Sequence, residues 1–182
     1  MDNQFSQKVS EIIVYSKEEA SRLQNNFIGP EHLLLGLIRD GEGKAIEILS
    51  KLNIDIQELK KQIEVKLKEK INAPVFPETD IVLTSETSRI LKMCLLEARL
   101  LKNTVADTEH ILLAILKDKN NLAANVLEEN DVAYKNVYEQ LTLQPDITSG
   151  MGFSEDEDED DELKDRPSGD SSKTQKTQSA QR

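Results

Sequence analysis

Apolar side chains recur along most of this chain at helical spacing. Val9, Ile12, Ile13, Ser16, Ala20 and Leu23 fall on i, i+3, i+4, i+7 steps, which places them on one face of a helix. Ile90, Leu91, Cys94, Ala98 and Leu101 repeat that stripe. Just past each stripe stands an asparagine, Asn25 or Asn103, a residue type that accepts the left-handed conformation ending many helices. Gly29-Pro30-Glu31 then reads as a second helix start, with proline at the first helical position and an acid in the first turn. Asp107-Thr108-Glu109 does the same further on, with Asp107 as N-cap. The runs Leu33–Ile38 and Ile111–Leu116 are apolar nearly all round, which predicts central, buried helices. Third helices are predicted at about 43–52 and 121–130, and fourth helices at about 55–70 and 133–142. No segment alternates with period two for long enough to predict a strand.

The two halves of this pattern are copies. Residues 5–40 and 83–118 align without a gap at a constant offset of 78, and 11 of the 36 pairs are identical. Among them are Ser10/Ser88, Glu19/Glu97, Asn25/Asn103, Glu31/Glu109, His32/His110 and Leu34/Leu112. The predicted fold is all-α: eight helices formed as a tandem, pseudo-twofold duplication of a four-helix unit. Residues 1–70 are the first repeat and 83–143 the second. Residues 71–82, with Pro74 and Pro77, connect them, and 144–182 form a tail.

Charge changes the picture at that tail. The chain has 182 residues and a formal net charge of −11. Its last 29 residues hold ten acids and five bases, including eight consecutive acids from Glu155 to Glu162. From Lys164 onward there is no large apolar side chain, so nothing offsets the entropy of ordering, and disorder is expected. The segment reads as a solvated tether or as an acidic interaction tail. The net acidity argues against nucleic acid or an anionic membrane as partner. No run of about 18 apolar residues suggests a membrane span, and the polar N-terminus does not read as a signal peptide. The single cysteine, Cys94, cannot form an intrachain disulfide, which fits a reducing, cytoplasmic setting.

Few residues suggest chemistry. Gly41-Glu42-Gly43-Lys44 resembles the end of a phosphate-binding loop, but Ile38 stands where the first glycine is required and Ala45 where Ser or Thr is required. It reads as a turn between helices. His32 and His110 lack zinc-ligand spacing; each reads as packing or capping in the first turn of a central helix. Cys94 lies on an apolar stripe and reads as a small core residue rather than a nucleophile. No catalytic site, metal site or cofactor site is predicted. The repeated helix starts are the better candidates. Ser6 and Thr84 can each N-cap a long first helix, and Glu31 and Glu109 lie in the first turn of the second. Free N–H groups at a helix start suit an anion, and a carboxylate suits a guanidinium. Plain capping accounts for the same residues, so both readings stand.

The stretch Ile28-Gly29-Pro30-Glu31-His32-Leu33-Leu34-Leu35-Gly36-Leu37, followed by Arg39-Asp40-Gly41-Glu42-Gly43, resembles the Clp N-terminal repeat. Thr108-Glu109-His110-Ile111-Leu112-Leu113-Ala114-Ile115-Leu116 resembles it again. The resemblance covers residues 1 to about 143 and is strongest to ClpC-type Hsp100 AAA+ unfoldases, which feed the ClpP peptidase. It implies a monomeric, mobile module that receives substrate proteins, adaptor proteins and, in some bacteria, proteins marked with phosphoarginine. Ser6 and Glu31 would form one site, and Thr84 and Glu109 the other. ATP and Mg²⁺ would belong to ATPase ring domains that these residues do not include. A stand-alone Clp-repeat adaptor or stress-response binder is the alternative. The sequence departs from the family pattern at Pro30, at the two prolines of the connection, and at Lys119-Asn120-Asn121, which replaces the Gly-Glu-Gly turn.

Overall fold

The computed structural model describes residues 4–70 and 80–143. Its helices are α1 (Gln7–Arg22), α2 (Pro30–Asp40), α3 (Lys44–Lys51), α4 (Ile56–Lys70), α5 (Ser85–Leu100), α6 (Thr108–Lys117), α7 (Leu122–Glu129) and α8 (Tyr134–Leu143). The fold is all-α, as the periodicity predicts. The connection 71–82 is described only from residue 80, and the predicted tail 144–182 lies outside the described residues. Two compact units divide the chain, Met1–Leu141 and Thr142–Arg182. Of the second, only the last two residues of α8 are described.

Helix starts and stops follow local chemistry in both copies. The Ser6 hydroxyl accepts from the Val9 N–H at 3.1 Å, and the Thr84 hydroxyl accepts from the Thr87 N–H at 3.1 Å. Each fills one of the donors a helix start leaves free. The left-handed residue that ends α1 and α5 is not Asn25 or Asn103. It is the residue before, Gln24 (φ 60°) and Lys102 (φ 62°). The Asn25 N–H then reaches the Ala20 carbonyl at 2.8 Å and the Asn103 N–H reaches Ala98 at 2.8 Å, closing a Schellman turn each time. Asn53 and Asp131 end α3 and α7 in the same way.

The helices α2 and α6 form the centre. Every residue from Pro30 to Ile38 and from Thr108 to Leu116 is buried, and both runs belong to one continuous core with the other six helices. Close approach of α1 to α2 depends on Gly36. A Cβ there would lie 2.6 Å from the Ser16 Oγ and 2.7 Å from the Ile12 carbonyl oxygen. The second copy has Ala114 and Cys94 at the corresponding positions. Cys94 is fully buried and unpaired, and burial raises its thiol pKa; it is a core residue.

Short strands tie the copies together, where none were expected. β1 (Phe27–Ile28) pairs in parallel with β2 (Val82–Leu83), in the register Phe27↔Val82 and Ile28↔Leu83. Phe5 forms an isolated bridge to Ala106. Two residues cannot display an alternation, so these pairs leave no periodic trace in the sequence. Each joins the segment preceding the first helix of one copy to the segment preceding the second helix of the other. Among the described residues, no helix is long and apolar enough to cross a membrane.

Candidate functional site

The crossed strands decide which helix starts share a site. The Thr84 N–H donates to the Ile28 carbonyl at 3.1 Å, beside Gly29 and the start of α2. The Ser6 N–H donates to the Ala106 carbonyl at 2.9 Å, and the Ser6 hydroxyl donates to Asp107 Oδ1 at 3.0 Å, at the start of α6. Thr84 therefore stands with the helix start that carries Glu31, and Ser6 with the one that carries Glu109. This reverses the grouping of Ser6 with Glu31 and Thr84 with Glu109, because each site draws on both copies. That exchange is a tertiary fact that alignment of the copies cannot reveal.

Both glutamates are buried without the hydrogen bonds a carboxylate needs. Glu31 is 1% exposed, and neither carboxylate oxygen has a hydrogen-bond partner. Glu109 is 8% exposed, and its Oε1 has none. Buried polar atoms are nearly always satisfied, so an unsatisfied carboxylate calls for a reason. Position 29 explains why Glu31 packs deeper. A Cβ at Gly29 would lie 2.6 Å from Glu31 Oε1 and 3.4 Å from the Phe27 ring, so the missing side chain is what lets the carboxylate fold inward. The second copy has Asp107 there. Burial, with Asp107 adding to it, pushes the Glu109 carboxyl above its ordinary pKa, while its own backbone N–H and Lys44 pull the other way.

The nearby cations differ between the sites. Lys70, the last residue of α4, brings its Nζ to 3.6 Å from Glu31 Oε2. Around Glu109 the cation is Lys44, and the uncharged His110 ring stands 4.0 Å away.

The histidines hold these helix starts in shape. The Gly29 N–H donates to His32 Nδ1 at 2.9 Å, and the Asp107 N–H donates to His110 Nδ1 at 2.8 Å. A backbone N–H only donates, so Nδ1 must be unprotonated and the ring proton lies on Nε2. That nitrogen faces Asn25 Oδ1 at 2.7 Å in one copy and Asn103 Oδ1 at 2.9 Å in the other. Burial lowers the His32 pKa to about 4, with Lys70 contributing, and burial lowers that of His110 too. The Asn-to-His spacing of seven, present twice, was the visible signal for this brace. Nothing in the sequence points to Lys70 or Phe27.

A second pair of buried carboxylates is fully satisfied. Glu19 receives Arg22 at 2.6 Å and Arg39 at 3.1 Å. Burial alone would raise its pKa, but the two guanidiniums hold it below the ordinary value. Glu97 receives the Tyr134 hydroxyl and Lys117 Nζ, the latter at 3.2 Å. The duplicated fold thus hydrogen-bonds Glu19 and Glu97, and leaves both oxygens of Glu31 and Oε1 of Glu109 without a hydrogen bond.

Comparison with known proteins agrees with this architecture. Residues 4–144 match the family described as the Clp repeat (R) N-terminal domain. The chain is 33% identical over 141 residues to the chaperone protein ClpB of Oceanobacillus iheyensis, covering 78% of this chain and 17% of that protein. It is 34% identical over 141 residues to the chloroplastic chaperone protein ClpC2 of Oryza sativa subsp. japonica, covering 78% of this chain and 15% of that one. The chain thus spans only a small part of the length of these relatives. The N-terminal domain of ClpD from Arabidopsis thaliana superposes with a TM-score of 0.58 at 18% identity, covering 76% of this chain and 95% of that one. With duplication, crossed strands and sequence match in accord, the chain belongs to the Clp repeat N-terminal domain family.

Proposed function

We propose that this chain is the substrate- and adaptor-receiving N-terminal domain of a ClpC-type Hsp100 unfoldase that delivers proteins to a ClpP-type peptidase, and that its duplicated site takes guanidinium-bearing side chains, phosphoarginine among them. The observation that carries the binding reading is the pair of buried carboxylates, Glu31 and Glu109, with oxygens that no hydrogen bond satisfies. A guanidinium offers a planar fork of donors matched to a carboxylate. An attached phosphate would meet the free N–H groups of an adjoining helix start, where the dipole favours an anion. The site needs no cofactor, and ATP with Mg²⁺ would act in ATPase domains elsewhere in the parent protein. The chain has a single cysteine and so no intrachain disulfide to stabilise it, in keeping with a reducing compartment such as the cytoplasm.

Calorimetric titration with phosphoarginine tests the reading. Heat of binding is expected from the unaltered chain, and loss of that heat from the double variant Glu31→Ala, Glu109→Ala. Were the glutamates only partners of the helix dipole, their removal would lower stability with no binding to lose. No heat from the unaltered chain would overturn the proposal.

A further inference from the structure

The two carboxylate sites are copies in sequence but not in their surroundings, and among the described residues Lys70 pairs with Glu31 alone. Its ammonium is the ion partner of Glu31, 3.6 Å from Oε2. The Lys70 side chain is 51% exposed while Glu31 is 1% exposed, so one end of this pair faces water and the other is sealed. No hydrogen bond fixes the pair. Lys70 is the last residue of α4. The second copy's counterpart of α4, α8, ends at Leu143, and among the described residues no lysine is ion-paired with Glu109. Resting on the guanidinium-binding reading above, we infer that Lys70 is a tethered internal competitor: it occupies the cation position of the Glu31 site, and an incoming guanidinium must displace it.

The physical argument is one of charge and reach. A carboxylate sealed from water is stabilised by whatever cation lies nearest. A lysine on the same chain is present at high effective concentration, so a ligand must outcompete it. The ammonium is a point charge on a flexible stem, and it satisfies no hydrogen bond at 3.6 Å. A guanidinium can make two parallel bonds in its place. Lys70 therefore selects for forked cations over simple amines and sets the affinity of the Glu31 site alone. Neutralising Lys70, by substitution or by acetylation, would release the site.

The test uses the isotope-labelled full chain and NMR titration, with N-acetyl-argininamide as a probe that carries the guanidinium without a phosphate. Amides beside Glu31 and beside Glu109 report the two sites separately. In Lys70→Met, and in Lys70→Gln as a second variant, the probe is expected to bind about tenfold more tightly at Glu31, a change of about 1.4 kcal/mol, with affinity at Glu109 unchanged. Equal or weaker affinity at Glu31 in both variants would overturn the competitor role. Absence of shifts at both carboxylates in every protein, with this probe and with phosphoarginine, would instead overturn the guanidinium-binding reading itself.

Discussion

His32 shows how one side chain sets both structure and pH response. Its Nδ1 accepts from a backbone N–H that cannot reverse its role, so protonation of the ring would set two donors against each other. The folded state therefore holds it neutral, with a pKa near 4, whereas in the unfolded chain it titrates near its ordinary value of about 6.5. Because the folded pKa lies below the unfolded one, stability is fully present above about pH 6.5 and is lost as pH falls toward 4. The loss from this one group is about 3 kcal/mol. His110 acts in the same direction. Glu109 opposes it: its folded pKa is raised, so its cost at neutral pH disappears as pH falls. In an NMR titration the His32 ring should show no transition between pH 8 and about 5, and the urea midpoint should fall over the acid part of that range. A ring titrating near 6.5 would refute the neutral brace. The brace was half legible in the sequence. Histidine in a first turn suggests packing or capping, but the sequence points to Asn25 as the left-handed cap, where the structure has Gln24. Gln24 takes that conformation without being the residue type that favours it, so propensity pointed one residue too far.

Among elements, the crossing of α1 over α2 is set by what position 36 lacks. Gly36→Ala would drive a methyl group against the Ser16 hydroxyl and the Ile12 carbonyl. Backbone cannot yield there as a flexible side chain could. The variant is expected to lose about 1–3 kcal/mol of stability, read as a lower urea midpoint, even though alanine favours a helix intrinsically. An unchanged or raised midpoint would show that the crossing can relax. Helix number and order, and the buried all-apolar character of α2 and α6, were readable because long runs carry many votes for one period. The strands β1 and β2 were not readable. They exist because the paired segments are brought together by helices distant in sequence, and two residues have no period of their own.

At the scale of the molecule, the two copies are not separate bodies. α3 packs on α6, α4 on α7, and α2 on both α5 and α7, and a single core runs through both halves. Residues 1–70 expressed alone would expose the faces of α2, α3 and α4 that the second copy covers. That fragment is expected to give no cooperative thermal transition by circular dichroism, while the full chain melts in one step. A cooperative transition in the fragment would show that the repeats are autonomous. The pairing of Thr84 with the Glu31 helix start belongs to this scale too. Comparison of the copies shows which residues correspond, whereas the crossed strands set which helix starts lie together.

Those crossed strands also bear on ancestry. Two identical four-helix units meeting about a twofold axis would build both carboxylate sites at once, each taking a hydroxyl cap from one unit and a glutamate from the other. In such a dimer every substitution strikes both sites, so symmetry keeps them equal. Fusing the units into one chain lifts that constraint. Gly29 and Asp107 can then differ, and Lys70 can pair with Glu31 alone. One inherited helix-start arrangement then becomes two that can be tuned apart.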